Sequence, residues 1–120
     1  MIYNTKQNGI VRILTLRIGK KYKAICLDFD IIEEAQSKKE VERQINEAIA
    51  GYVINIQKND LSDDLLNRHA DKKYWDIYNA YIKFIHENGK TQKMDKNIKN
   101  SEITTTSIEE ILRSSNIYLA

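Results

Sequence analysis

An apolar alternation that runs twice, with one short interruption, most constrains how this chain can fold. Residues 9–18 read GIVRILTLRI. Leu14, Leu16 and Ile18 fall on one face of an extended chain, and Val11, Ile13, Thr15 and Arg17 on the other, because successive strand side chains point to opposite sides. GKK at 19–21 follows, with Gly19 free to take a positive φ. Residues 22–29, YKAICLDF, alternate again, with Tyr22, Ala24 and Cys26 opposite Lys23, Ile25, Leu27 and Phe29. Two such runs across a short glycine-containing link predict a β-hairpin. DIIEEAQ at 30–36 is long enough for a third, short strand.

The period then changes. Ser37 and Glu40 form S-x-x-E immediately before an apolar segment, the pattern of a capping box. Val41, Ile45, Ala48, Ile49, Tyr52, Val53 and Ile56 recur at spacings of three and four, which predicts an amphipathic helix over 38–58. Gly51 sits inside it, at a cost of about 1 kcal/mol relative to alanine, and close packing against a sheet would account for it. QKNDLSDD at 57–64 breaks the pattern. Asp71 can cap a second helix that stops at Asn88-Gly89 and carries Tyr74, Trp75, Tyr78, Tyr81, Ile82 and Ile85. A polar, lysine-rich linker comes next, then Thr104–Thr106, which favour extension, and a second S-x-x-E at Ser107 and Glu110. A helix over 108–115 is too short to stand alone and has to dock. The expected fold class is α+β: a three-stranded antiparallel sheet packed on one long amphipathic helix (β-β-β-α), then a second helix and a short terminal helix. The expected organisation is a β-β-β-α domain over 1–60, a helical extension over 61–88 packing on the core or a dimer partner, and a linker with a short helix over 89–120.

Composition narrows the function classes. At 120 residues, with 42% hydrophobic and 30% charged residues, the chain is that of a small globular protein. Its apolar runs are too short for a membrane helix, and its first residues, MIYNTKQNGIVRI, lack the form of a signal peptide. A cytoplasmic location is the expectation. Cys26 is the only cysteine, so neither an intrachain disulfide nor a cysteine-based metal site can form. No cofactor is expected. The net charge of +2 does not decide for or against a nucleic-acid partner, because clustering matters more than the total.

The stretch YKAICLDFDIIEEAQSKKEVERQINEAI resembles the N-terminal domain of HicB-family antitoxins. Members have a strand, then Y-x-A-x-C-x-(D/E)-(L/F), a short connection, and T/S-x-x-E-A opening a helix. Tyr22, Ala24, Cys26, Asp28, Phe29, Ser37 and Glu40 stand at the matching positions, and Val41 where the family often has Ala. The likeness covers about residues 9–58. Many members have Pro-Gly after the Asp, and a Gly before the cap. Here Asp30-Ile31 and Ala35-Gln36 replace them, as in a shorter-loop branch. Full antitoxins usually add a DNA-binding helix-turn-helix or ribbon-helix-helix module, and residues 60–120 show neither signature clearly. The resemblance implies a partial RNase H-like fold without nuclease residues. It also implies a non-catalytic antitoxin that binds and blocks a small, basic, RNA-targeting toxin of the HicA type, and that often self-associates. The alternatives are an orphan oligomeric scaffold or regulatory domain, and a weak nucleic-acid-binding module.

Asp28, Asp30, Glu33 and Glu34 crowd seven positions. A two-metal nuclease needs carboxylates converging from separate elements. These four are local, and residues 9–21 contain no acid. An acidic edge meeting a basic partner is the functional reading that suits them; a solvated edge is the plain one. Cys26 reads as core filler, since nothing nearby would depress its pKa. His69 and His86 have no partner at metal-ligand spacing and read as surface residues. Tyr74, Trp75, Tyr78 and Tyr81 suggest base stacking, but their helical spacing favours packing in the core or at a dimer interface. Lys90, Lys93, Lys96 and Lys99 recur every third residue, either touching phosphates or solvating a linker.

Overall fold

A computed structural model describes residues 3–88 and 100–114. It is an α+β fold with four strands: β1 (Ile10–Ile18), β2 (Lys21–Cys26), β3 (Ile31–Ala35) and β4 (Ser101–Ser107). The helices are α1 (Lys38–Lys58), α2 (Lys72–Asn88) and α3 (Ile108–Ser114), and a 3-10 turn covers Asp63–Leu66. The strand order is β3-β2-β1-β4, and every pairing is antiparallel. The hairpin closes with Ile18 opposite Lys21, and Gly19 takes φ 62° in its turn.

The expectation of three strands is corrected here. The segment with Thr104–Thr106 is a full strand, and it pairs along β1 from Ile10 opposite Ser107 to Leu16 opposite Ser101. Its β-branched residues suit a pleated surface. Local patterning suggests extension there but cannot show which strand receives it.

Both faces of the sheet are apolar, and both are covered. Val11, Ile13, Ala24 and Cys26 meet Val41, Ile45, Ile49, Val53 and Ile56 of α1, with Ile108, Ile111 and Leu112 of α3 in the same cluster. Leu14, Leu16, Ile25 and Leu27 meet Ala70, just before α2, and Tyr74 in its first turn. Each fully buried aliphatic side chain contributes about 1.5–3 kcal/mol. Phe29 departs from the alternation. It joins the α1 side rather than the face of Ile25 and Leu27, because β2 ends at Cys26 and a turn intervenes.

Both expected caps form: Ser37 Oγ accepts from Glu40 N at 3.2 Å, and Ser107 Oγ from Glu110 N at 3.1 Å. The Glu40 carboxylate does not reach back to Ser37; it binds Arg43 and Gln44 instead. Those contacts, Arg43 first, hold its carboxyl below the usual range. Gly51 also departs from expectation: it is exposed, and an added Cβ would meet nothing within 4 Å. Sheet packing therefore does not explain it. Gly9 is different. Its φ is +153°, and a Cβ there would lie 2.2 Å from Asn4 Oδ1, the atom that accepts from Ile10 N at 2.8 Å. Through Asn4 the N-terminal arm is tied to Leu66 O and Asn67.

Candidate functional site

The four predicted acids separate. β2 ends in a turn over Leu27–Asp30, where Asp30 N donates to Cys26 O at 2.9 Å and Asp30 takes φ 60°. That turn sends Asp28 inward, to 4% exposure. Its Oδ2 accepts from Arg12 N at 2.7 Å and its Oδ1 from Arg12 Nη1 at 2.6 Å. The strand register between β1 and β2 stops at Ile13 opposite Cys26, so the carboxylate satisfies a β1 amide just past the end of the ladder. Burial pushes the Asp28 carboxyl above its usual range, with the Arg12 hydrogen bonds and charge opposing the rise.

The same turn anchors α2. Leu27 O accepts from Ala70 N at 2.8 Å, and Asp28 O from His69 N at 3.1 Å, with His69 held at φ 64°. Arg12 lies 5.6 Å from the centre of the Trp75 ring, His69 packs on the same ring at 5.4 Å, and Tyr78 meets it edge-on at 5.7 Å. Asp28 is thus part of the joint between sheet and helix rather than of the acidic edge. Local reading missed Arg12, its partner. The signal was present: a cation inside a strand, with apolar residues on both sides.

Asp30, Glu33 and Glu34 do share an edge. β3 is the outermost strand on its side. Glu33 shares the α1 face with Ile31 and Ala35 and is half-buried; Glu34 and Ile32 lie on the other face. Glu34 is exposed and 3.8 Å from Lys23, a pair worth little at such exposure. Asp30 is exposed, and neither it nor Glu33 makes an ion pair among the described residues. Ile32 is 41% exposed. The outer backbone groups of β3 face no strand among the described residues. The result is a short edge strand, open on its outer side among the described residues, with negative charge at its start and along both faces and one exposed apolar side chain, Ile32. Chemically it can accept another strand and attract a basic one.

The other candidates are placed as follows. Cys26 is buried, and burial pushes its thiol up to about 12, so it is packed rather than reactive. Tyr74 is in the core, with Trp75 and Tyr78 packed against it, while Tyr81 is half-buried and belongs to neither core cluster. His69 and His86 are exposed. Lys90, Lys93, Lys96 and Lys99 lie outside the described residues. Among the described residues no group of three His, Cys, Asp or Glu side chains is arranged to hold a metal ion, and no helix is long and apolar enough to cross a membrane. A groove of about 360 Å³, absent from the sequence expectations because β4 forms one wall, runs between Ile45 and Ile49 of α1, Thr105 of β4 and Ile111 of α3.

No family model matches the chain, and no curated protein or solved structure shows significant similarity to it.

Proposed function

We propose that the protein is a HicB-like, antitoxin-type binding protein that sequesters a small RNA-targeting toxin of the HicA type by protein–protein contact. The observation that carries this reading is the β3 edge: unpaired outer backbone groups beside Asp30, Glu33 and Glu34, with Ile32 exposed between them. A protein that binds RNA presents basic surface. Complementary charge would speed and orient its encounter with this edge, and main-chain hydrogen bonds from an added strand would supply directional affinity. The sequence likeness over residues 9–58 supports the same reading. Binding rather than catalysis is the role proposed, acting in the cytoplasm. Asp28, the acid best placed for proton chemistry by its burial, is already engaged by Arg12.

The test is affinity purification of the full chain from its native host, with mass analysis of what is retained. Recovery of a small basic protein that is lost from an Asp30→Lys, Glu33→Lys, Glu34→Lys variant supports the proposal. Recovery of none, or equal recovery with the variant, sinks it.

A second reading, an oligomeric scaffold without a toxin, has its own observation. Beyond the buried Tyr74, α2 carries Tyr81, Phe84 and Ile85 half-buried and Ile82 45% exposed, an apolar stripe that a second copy would cover. Sedimentation of wild type beside Ile82→Glu distinguishes it: a monomer in both removes this reading.

A further inference from the structure

Exposed positive charge is gathered at one end of the sheet. The antiparallel pairings put the end of β1, the start of β2, the end of β3 and the start of β4 together, and α1 begins there as well. Arg17, Lys20, Lys21, Lys38 and Lys39 are all exposed at this end. Four carboxylates share it: Glu34, Glu40 and Glu102 are paired with Lys23, Arg43 and Lys38, and Glu42 lies close enough to Lys38 to raise its pKa. Arg17, Lys20, Lys21 and Lys39 make no ion pair among the described residues. The opposite end carries Asp30, Asp60, Asp63, Asp64, Glu109 and Glu110, against Lys6, Lys58, Arg68 and Arg113. A net charge of +2 therefore conceals a molecule that is electrically polarised along its strands.

The cationic end is also shaped. Arg17, Lys38, Thr15, Tyr22, Asn100 and Glu102 line a hollow of about 200 Å³. Arg17 and Tyr22 are cross-strand neighbours. Arg17 Nε leans on Gly19 O at 3.4 Å, and its two terminal nitrogens make no hydrogen bond or ion pair among the described residues. A planar guanidinium with free donors matches the oxygens of a phosphodiester. The Tyr22 hydroxyl and Asn100 amide add neutral donors of the kind that position a nucleic-acid backbone without reading sequence. A lipid surface fits less well. Among the described large apolar side chains that are exposed, only Ile18, at 56%, stands at this end, which leaves little to insert.

We infer that this end, formed by the β1–β2 hairpin and the start of α1, is a sequence-independent binding surface for the phosphodiester backbone of nucleic acid. This inference is independent of the acidic β3 edge and of the proposed toxin. Four unpaired cations engaging about four phosphates predict a salt slope of about −3 for single strands. That is roughly a 50-fold loss of affinity between 50 and 200 mM salt.

The experiment is fluorescence anisotropy of the full chain with labelled RNA and DNA single strands of one sequence, titrated over salt. Vesicles of phosphatidylserine and phosphatidylcholine are assayed in parallel. The key variant is Arg17→Glu, Lys20→Glu, Lys21→Glu. The control is Lys58→Glu, Arg68→Glu at the opposite end. Lys39→Glu serves as a milder second variant if circular dichroism shows the triple variant unfolded. Every variant keeps the lysines of 89–99. Binding to either oligonucleotide that falls with salt, drops at least tenfold in the triple variant or measurably in Lys39→Glu, and survives in the control supports the surface. RNA and DNA differ only in which source of phosphodiester is preferred. No binding at low salt, salt-independent binding, an unaffected key variant, equal loss in the control, or binding to vesicles alone overturns it.

Discussion

Asp28 looks like the centre of an acidic patch in the sequence and is a structural joint in the fold. Its carboxyl stands above the ordinary value because burial penalises the charged form more than Arg12 rewards it. A carboxyl raised in this way adds stability that is fully present below its unfolded pKa, and loses it as pH rises through the folded value. Urea unfolding of wild type and Asp28→Asn over a pH series should show wild type losing ground to the variant as pH climbs from below 3.8. A constant or opposite difference would contradict the burial argument. Asp28→Ala removes the acceptor from Arg12 altogether, and should cost about 2–3 kcal/mol at neutral pH. That is less than for a fully enclosed pair, because the Arg12 side chain retains 26% exposure. Cys26 is the simpler case. With its thiol pushed up to about 12 and its side chain buried, native protein at pH 8 should resist alkylation, and denaturant should expose the thiol at once.

Elements governed by nearby residues were legible in the sequence. The first two strands, the Ser37 cap and the 38–58 helix follow from periodicity and capping within a few positions, and the structure reproduces them. Three features were not legible, each for a physical reason. Phe29 changes face because the turn after Cys26 ends the two-residue period. Asp28 turns inward because its partner lies sixteen residues earlier, at Arg12. β4 has no local mark of its partner at all. Of the candidate site, Asp30 and Glu34 are exposed and Glu33 half-buried, while the exposed Ile32 and the open outer side of β3 needed the sheet order. Within α1, Gly51 is the element's weak position. Its neighbourhood is open, so Gly51→Ala should raise unfolding free energy by about 1 kcal/mol, measured by chemical denaturation. A loss of stability would contradict the open neighbourhood at Gly51.

At the scale of the whole molecule, one sheet organises three layers. α1 and α3 cover one face and the start of α2 covers the other, so the two central strands, β1 and β2, are apolar on both sides. β1 depends on a distant segment, since it pairs with β2 on one side and with β4 on the other. A chain ending at Asn88 would lack β4 and α3. It would leave the β1 edge open and uncover the core that Ile108, Ile111 and Leu112 seal. Such exposed edges invite intermolecular pairing. The truncated chain should elute as aggregate on size-exclusion chromatography, where the full chain elutes as a discrete species. A stable truncated monomer would show that β1–β4 pairing is dispensable.

That pairing also fixes when the protein can finish folding. β1 leaves the ribosome before its outer partner, which follows roughly ninety residues later, about 5–18 s behind at ordinary rates of translation. For that interval the newborn hairpin carries an unfilled side, so the cell meets the protein first as an adhesive intermediate. The strand that closes it is made only after α1 and α2.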